Sequence, residues 1–217
     1  MIPETNVKKS TLALSALTLA LAAGLSACGG GSSTYTIGGV VTGLEYPGLV
    51  LSNNGEDLAL GPAGYETLPG STVPTPKDVT YAFKNQVDYG APYDVTIKAF
   101  PAHQQCGQSG GTTDTAGRLS VINAVITCVL VSNTIGGTIT GLTGENLVLT
   151  NGSTGGTLPI AKGATSFTFG QEVTYGRTFG VTVLTQPTGQ TCTVANGAGT
   201  MGDVKVDTIA VTCRDNG

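Results

Sequence analysis

Residues 36–53, TIGGVVTGLEYPGLVLSN, return 98 positions later as residues 134–151, TIGGTITGLTGENLVLTN. Of the 18 aligned positions, 11 are identical. Self-similarity at a fixed spacing is typical of a chain built from repeated structural units. The paired glycines after Ile37 and Ile135 indicate a bulge or close backbone packing inside a first strand. The sequence therefore predicts two copies of one small β module.

The similarity continues beyond these stretches, but at a spacing of 86 residues. Each residue of the following set has an identical residue 86 positions later: Phe83, Val87, Tyr89, Gly90, Val95, Thr96, Pro101, Gln104 and Cys106. The change in spacing means that the first copy carries about 12 additional residues, which fall within residues 61–78. Because that segment contains four prolines, we expect the insertion to be a loop.

Both copies have the pattern of an all-β fold. Runs such as residues 147–150 (LVLT) and 181–184 (VTVL) are separated by Gly, Asn and Ser every 8–12 residues. Short strands at this spacing, in a unit of about 80–95 residues, are typical of a small sandwich. We therefore predict two tandem β-sandwiches of immunoglobulin-like or transthyretin-like type, with a closed barrel as the alternative fold.

The first 27 residues have the features of an export signal. Lys8 and Lys9 precede an uncharged run over residues 11–24 that is rich in Ala and Leu. That run is too short to cross the ~30 Å hydrocarbon core of a bilayer as a helix. It leads into residues 25–28, LSAC, which resemble the lipobox of bacterial lipoproteins. An ordinary secretory signal followed by an unrelated Cys28 is the alternative interpretation.

The resemblance to bacterial lipoproteins carries implications for processing and location. It implies that the leader is removed before Cys28, that the thiol receives a diacylglyceryl group and that the new amino group is acylated. Gly29 rather than Asp follows the cysteine, which in Gram-negative lipoproteins implies sorting to the outer membrane. Two or three acyl chains suffice for stable anchoring. Residues 29–33, GGGSS, then form a flexible tether that keeps the folded part close to the membrane.

The chain is thus expected to divide into a signal peptide (1–27), the lipid-bearing cysteine with its tether (28–33), a first sandwich (34–131) and a second sandwich (132–214). The repeated pattern resembles a tandem module of exported bacterial lipoproteins. Its motifs are IGG-x-V-x-GL, LVL-x-NNG, F-x-F, Y-x-V-T-V, P-x-x-Q-x-C, N-G-x-G-T and V-T-C. The resemblance covers nearly all of residues 35–213, and it implies architecture and location without a catalytic activity.

The five cysteines agree with an exported chain. Beyond Cys28, two fall in each copy, at separations of 22 and 21 residues. Because an exported chain meets oxidising conditions, we expect the disulfides Cys106–Cys128 and Cys192–Cys213. A zinc site is the alternative for four cysteines, but the chain has no C-x₂₋₄-C pair and a single histidine. We therefore expect no metal and no cofactor.

One motif suggests catalysis. Residues 107–111 match G-x-S-x-G, the nucleophile turn of α/β-hydrolases, with Ser109 at its centre. That turn requires a following helix and a later histidine, whereas the single histidine, His103, precedes the serine. We interpret the motif as a Gly-rich turn after a disulfide cysteine and His103 as a surface-loop residue. A small envelope hydrolase using Ser109 or paired carboxylates stays the alternative function.

The charged residues indicate neither a nucleic-acid binder nor a metal site. The formal net charge of −4 argues against nucleic acid, because a binder needs a basic face. Residues 53–57, NNGED, offer oxygen ligands for Ca²⁺ but lack the spacing of a calcium loop, and they read more simply as a hairpin turn. Asp203 and Asp207 read as solvated charges near the last strand.

The aromatic residues give the best hint of binding. Eight of the twelve lie in the first copy. Four of these align with aromatic residues of the second copy and are expected in the core: Tyr81, Phe83, Tyr89 and Tyr93. Tyr46 and Tyr65 have no aromatic counterpart, and Tyr65 lies in the insertion. Since exposed tyrosines stack on sugars or contact protein partners, these two residues form the candidate binding loop.

These observations favour a non-catalytic cell-envelope lipoprotein, attached to the outer membrane of a Gram-negative bacterium through lipid on Cys28. Its two sandwiches would act as a structural spacer, an adhesion-like module or a binding module. The expected partners are the membrane and an envelope protein or polysaccharide, without nucleic acid.

Overall fold

Every regular element in the described part of the chain is a β-strand, so the all-β prediction is confirmed. The computed structural model describes residues 33–118, 122–152 and 155–217. The predicted leader and Cys28 lie outside these residues. Within them, no helix has the length and apolar character needed to cross a membrane. Residues Thr34–Gly217 belong to one unit, which contains two separate hydrophobic cores.

Among the described residues before residue 131 there are twelve strands. They are β1 (Thr34–Tyr35), β2 (Gly38–Thr42), β3 (Leu49–Asn53), β4 (Glu56–Leu60), β5 (Tyr65–Glu66), β6 (Thr75–Pro76), β7 (Val79–Ala82), β8 (Val87–Asp88), β9 (Pro92–Ala99), β10 (Gln104–Gly110), β11 (Thr113–Thr115) and β12 (Ala124–Leu130). Two four-stranded sheets, in the orders β10-β12-β2-β7 and β11-β9-β3-β4, enclose a core. Its fully buried aliphatic side chains include Ile37, Val41, Leu49, Leu51, Val95 and Ile126.

The described residues after residue 131 form ten strands. They are β13 (Ser132–Asn133), β14 (Ile135–Thr140), β15 (Leu147–Asn151), β16 (Thr157–Ile160), β17 (Ser166–Thr168), β18 (Val173–Thr174), β19 (Thr178–Thr185), β20 (Gln190–Ala195), β21 (Ala198–Thr200) and β22 (Val206–Asp215). Two further sheets, β17-β14-β22-β20 and β16-β15-β19-β21, enclose a second core. Strands β3 and β15 bury alternate residues in their cores, as the period of two requires.

Each core has its first long strand paired in parallel with its last. β2 lies parallel to β12, with Gly39 opposite Ala124, and β14 lies parallel to β22, with Gly137 opposite Ile209. A Cβ atom on Gly39 would lie 1.9 Å from the Ala124 carbonyl oxygen, and one on Gly137 would lie 1.8 Å from that of Ile209. The prediction of close backbone packing at the paired glycines is therefore confirmed.

Both predicted disulfides are present. Cys106 and Cys128 lie directly opposite each other on antiparallel strands β10 and β12, with their Cα atoms 4.0 Å apart. Cys192 and Cys213 occupy the same relation on β20 and β22, at 3.9 Å. On the chain-entropy model, closing loops of this length stabilises the fold by about 3 kcal/mol each.

Buried glutamines fix the turn that follows the first long strand in both parts. The Gln104 side chain accepts a hydrogen bond from the Glu45 amide at 2.8 Å and donates one to the Gly43 carbonyl at 2.7 Å. Gln190 makes the equivalent bonds, donating to the Gly141 carbonyl at 2.8 Å. These buried amides therefore act as supports for turns that would otherwise leave backbone groups unpaired.

Two predictions about the first copy need correction. Tyr81, Phe83 and Tyr93 are buried as expected, but Tyr89 is 68% exposed. It lies in the turn between β8 and β9, at the end of the sheets. The strand alternation that directs every second residue into the core does not extend to this turn. The insertion, residues 61–78, is not only loop, because β5 and β6 pair within it as a two-stranded ribbon. We call these residues the insertion ribbon.

Candidate functional site

The insertion ribbon presents three apolar side chains to solvent. Tyr65 is 53% exposed, Leu68 50% and Val73 61%. The Tyr65 hydroxyl donates a hydrogen bond to a Glu45 carboxylate oxygen at 3.0 Å, and this bond to the negative carboxylate raises the pKa of the phenol. The ribbon is therefore attached to the β2–β3 turn while its apolar side chains stay available for contact.

Tyr46, the other candidate binding residue, is placed differently. It is half-buried in the β2–β3 turn. Its ring meets His103 edge to face at a centroid distance of 4.9 Å and Tyr175 at 5.9 Å. The two candidate residues therefore differ: Tyr65 faces solvent, whereas Tyr46 packs against other rings of the protein.

His103 is the centre of a cluster that joins the two parts of the fold. Its ring stacks on Tyr175 with centroids 3.9 Å apart and planes 11° from parallel. Its Nδ1 lies 2.8 and 2.9 Å from the two carboxylate oxygens of Asp203. Because a carboxylate oxygen accepts, Nδ1 is the hydrogen-bond donor of this pair. The Tyr175 hydroxyl lies 3.2 Å from Nε2. We call Tyr46, His103, Tyr175 and Asp203 the junction cluster.

Backbone hydrogen bonds reinforce this junction. The Val131 amide donates to the His103 carbonyl at 2.9 Å, and the Val131 carbonyl accepts from the Tyr175 amide at 2.8 Å. The Asn133 side chain donates to the Gly202 carbonyl at 3.2 Å. Partial removal from water raises the pKa of Tyr175, with smaller contributions from Tyr46 and the Asp203 charge. The segment between the two cores is therefore fixed to both.

The serine of the G-x-S-x-G motif is not placed for nucleophilic catalysis. Residues 107–110 belong to strand β10, so the expected Gly-rich turn is wrong and no strand-to-helix elbow forms. The Ser109 hydroxyl donates to the Thr127 hydroxyl on the neighbouring strand at 2.7 Å. His103 directs its nitrogens to Asp203 and Tyr175 instead. A base that activates the serine would have to lie within hydrogen-bond reach of it.

The NNGED segment forms the hairpin turn between β3 and β4, as predicted, with Asn54 and Gly55 at positive φ. The Glu56 carboxylate accepts backbone N–H bonds at 2.9 and 2.8 Å. Asp57 bonds to Lys98, and this bond lowers the pKa of the carboxyl. The acidic oxygens are thus used within the fold. Among the described residues, no group of three His, Cys, Asp or Glu side chains is gathered as a metal site.

An open polar cleft of about 570 Å³ lies beside the β15–β16 turn. Gln171, Glu172 and Arg177 line it, together with Asn151 and Phe179. The Asn151 side chain is buried and accepts a hydrogen bond from the Gly180 amide at 2.8 Å. Asn151 is therefore a structural residue. The charged side chains that line the cleft are one acidic, Glu172, and one basic, Arg177.

Comparison with known proteins adds little. No protein-family model matches the sequence, and the search of curated proteins finds no match. Among solved structures, the major pilin protein T3.2 of Streptococcus pyogenes matches at 10% identity and a TM-score of 0.28, covering 85% of this chain and 99% of the pilin. The major pilin protein T-13 of the same species matches at 12% and 0.27, covering 85% and 98%. Both TM-scores are too low to indicate a shared fold.

Proposed function

We propose that the protein is a non-catalytic cell-envelope lipoprotein, anchored to the outer membrane through lipid on Cys28. In this proposal, residues 34–131 and 132–214 are two tandem sandwiches that act as a spacer. They hold the insertion ribbon, the element for contact with an envelope protein or polysaccharide. The parallel pairing of the first and last long strands around each core carries the spacer role, whereas the anchor rests on the resemblance of residues 25–28 to a lipobox.

Parallel pairing gives each sandwich a direction. Because β2 and β12 run the same way, the chain enters the first sandwich at one end and leaves it at the other. β14 and β22 repeat this in the second. Strands of about seven residues span ~23 Å, so two sandwiches in series extend over roughly 50 Å. A chain that enters each sandwich at one end and leaves it at the other is suited to holding two points apart.

The junction cluster supports a fixed rather than a loose connection. Stacked and edge-to-face aromatic pairs each contribute about 0.5–1.5 kcal/mol beyond their buried area. Here His103 stacks on Tyr175 and Tyr46 meets both rings. The backbone bonds of Val131 add to this connection. A spacer needs such a joint, because a free linker would let the second sandwich fold back.

The insertion ribbon is the proposed contact element, because it belongs to one sandwich only. What both sandwiches contain builds the fold, whereas the ribbon is additional to it. Several exposed apolar side chains on one short element offer surface for contact with a partner, and Tyr65 has a ring that suits a sugar or a protein.

Two measurements test the proposal. The first compares membrane fractions of cells producing the natural chain, the Cys28→Ser variant and a Ser33→Ala control. We expect only Cys28→Ser to leave the membrane fraction and to lack the mass of acyl chains. The second is small-angle scattering on residues 33–217. A maximum dimension of ~40 Å, the diameter of a sphere with the ~16 Å radius of gyration of a single compact domain of this size, would contradict the spacer.

A further inference from the structure

The end of the first core where the chain enters carries two tyrosine rings over a glycine turn. Tyr35 and Tyr89 have their centroids 6.3 Å apart. Gly117 has φ +92°, and a Cβ atom there would lie 2.3 and 2.6 Å from ring carbons of Tyr89 and 3.3 Å from Tyr35. The glycine therefore allows both rings to lie on the turn. We call Tyr35, Tyr89, Gly117 and Arg118 the tyrosine end face.

The second core has a tyrosine at the equivalent position, but there another residue covers the ring. The Gly90 amide donates to the Ala116 carbonyl at 2.9 Å, and the Gly176 amide donates to the Met201 carbonyl at 2.9 Å, so the two ends are built alike. The tyrosine before Gly176 stacks on His103. Tyr89, before Gly90, is 68% exposed. In both cores, the tyrosine before this glycine therefore places its ring where it can contact the structure next to the end of the core.

The length of chain preceding the tyrosine end face limits what can adjoin it. Six residue steps separate Cys28 from Thr34, the first residue of β1. A fully extended chain spans at most ~3.5 Å per residue, or roughly 20 Å in all. β1 pairs with β8, directly before Tyr89. This step rests on the proposed lipid anchor: with Cys28 acylated, the face lies within that distance of the bilayer surface.

We infer that the tyrosine end face docks on the phospholipid headgroup region of the membrane that holds the anchor. Tyrosine rings prefer this region, because they bury an apolar ring and keep the hydroxyl in contact with water. The Arg118 side chain is 72% exposed and now bonds Asp114 at 3.1 Å. Its guanidinium fits a lipid phosphate.

Charge alone does not account for this contact. Lys84 and Arg118 lie at the same end as four acidic residues: Glu56, Asp88, Asp94 and Asp114. Because acidic groups outnumber basic ones, we expect docking on zwitterionic phospholipid and little gain from anionic lipid. The tyrosines therefore carry the attachment and orient the first sandwich upright.

This orientation places the insertion ribbon away from the bilayer. Tyr65 bonds to Glu45, which follows β2, whereas Tyr35 precedes β2. The five residues of β2 span roughly 17 Å. The two tyrosines thus report on opposite ends of the same sandwich, which supplies a matched pair for a test.

The test uses the absence of tryptophan from the sequence. Tyr89→Trp and, as control, Tyr65→Trp each introduce a single reporter into the full lipidated chain. Both variants are purified from membranes and reconstituted into phosphatidylcholine vesicles with brominated acyl chains. We expect tryptophan at position 89 to be quenched at least roughly twofold more than at position 65, since it would lie at the interface. Tyr35→Trp is a second reporter on the end face if Tyr89→Trp misfolds.

Each outcome separates the docking from the anchor. The acyl mass on Cys28 is measured on the same samples. An acylated protein with equal quenching at positions 89 and 65 overturns the docking and leaves the anchor standing. A chain without acyl mass overturns the anchor and the docking that rests on it. Quenching that appears only when anionic phosphatidylglycerol is added overturns the assignment of tyrosine-based contact to zwitterionic lipid.

Discussion

His103 lies face to face with Tyr175, with ring centroids 3.9 Å apart, although 72 residues separate them in the chain. Asp203 fixes the imidazole from its other side. The contact joins the turn before β10 to the turn before β19, so it connects one hydrophobic core to the other. The stability of this contact determines how strongly the two parts are coupled.

Tyr175→Ala should loosen the junction without unfolding either core. The change removes the stacked ring, for which we expect a loss of about 1 kcal/mol in coupling between the two parts. Thermal unfolding by calorimetry should then broaden or split into two transitions. Tyr89→Ala is the matched control, because it removes the equivalent tyrosine where the ring is exposed. Equal effects of the two variants would contradict a joining role for the cluster.

The sequence predicted the β class and the cysteine pairs well, because both depend on local or repeated signals. Strand periodicity is local, and Cys106 and Cys128 recur as Cys192 and Cys213 at matched spacing. Once β10 and β12 pair in register, the two cysteines are opposite neighbours. That register brings their Cα atoms to 4.0 Å, within reach of a disulfide.

The junction cluster could not be predicted in the same way. His103 and Asp203 are 100 residues apart, and their partners come from different copies. A repeat alignment equates positions with each other, but it does not say which end of one copy meets the other. Tyr89 shows the resulting error, since it matches Tyr175 and yet is exposed. Comparison of the two copies does give one signal, because Tyr46 and His103 have no counterpart of their type in the second copy.

Gly137→Ala should be among the most destabilising single changes in the chain. Its added Cβ would lie 1.8 Å from the Ile209 carbonyl oxygen, so β14 and β22 would have to separate. We expect a loss of at least about 3 kcal/mol in the free energy of unfolding, which is the range of severe packing defects. Gly180→Ala is the control, because a Cβ there meets nothing within 4 Å. Urea titration measures both, and comparable losses would argue against the close approach.

Gln104→Ala should destabilise the first core through two unpaired amides. The Glu45 and Tyr46 N–H groups, at 2.8 and 3.0 Å from the glutamine oxygen, would lose their acceptor. Leaving buried donors unpaired costs about 1–3 kcal/mol. Gln105→Ala is the neighbouring control, because its side chain is exposed. Denaturant unfolding should show a loss for the first variant only, and an unchanged midpoint for Gln104→Ala would show that water replaces the amide.

Tyr81 should make the fold sensitive to alkali. Burial raises its pKa from about 10 to about 12, and its hydroxyl donates to the Ala124 carbonyl at 2.8 Å. Because the folded state holds this proton more tightly than the unfolded state, the associated stability is present below pH 10 and is lost as pH rises towards 12. Tyr81→Phe should flatten the decline in melting temperature over this range. An identical decline in both proteins would assign it to other groups.

Deleting residues 64–75 should leave both cores folded while removing the contact element. The ribbon pairs within itself through Tyr65 and Glu66. Among the described residues, the side-chain hydrogen bond that links it to the rest of the fold is the one from Tyr65 to Glu45. The second core closes without such a segment. We therefore expect far-UV circular dichroism and both disulfides to be retained, with little change in melting temperature.

Binding should respond to the ribbon's side chains in the same way as to its deletion. Prolines limit the unfolded freedom of this segment, so ordering it on contact costs little entropy. A double change, Leu68→Ser with Val73→Ser, removes exposed apolar surface but keeps the chain length. The double variant should capture envelope proteins or polysaccharides more weakly than the natural chain, although less weakly than the deletion variant, which also loses Tyr65. If both variants stay folded and capture every partner of the natural chain, the ribbon is not the contact element. If the deletion unfolds the first core, the ribbon has a structural role instead.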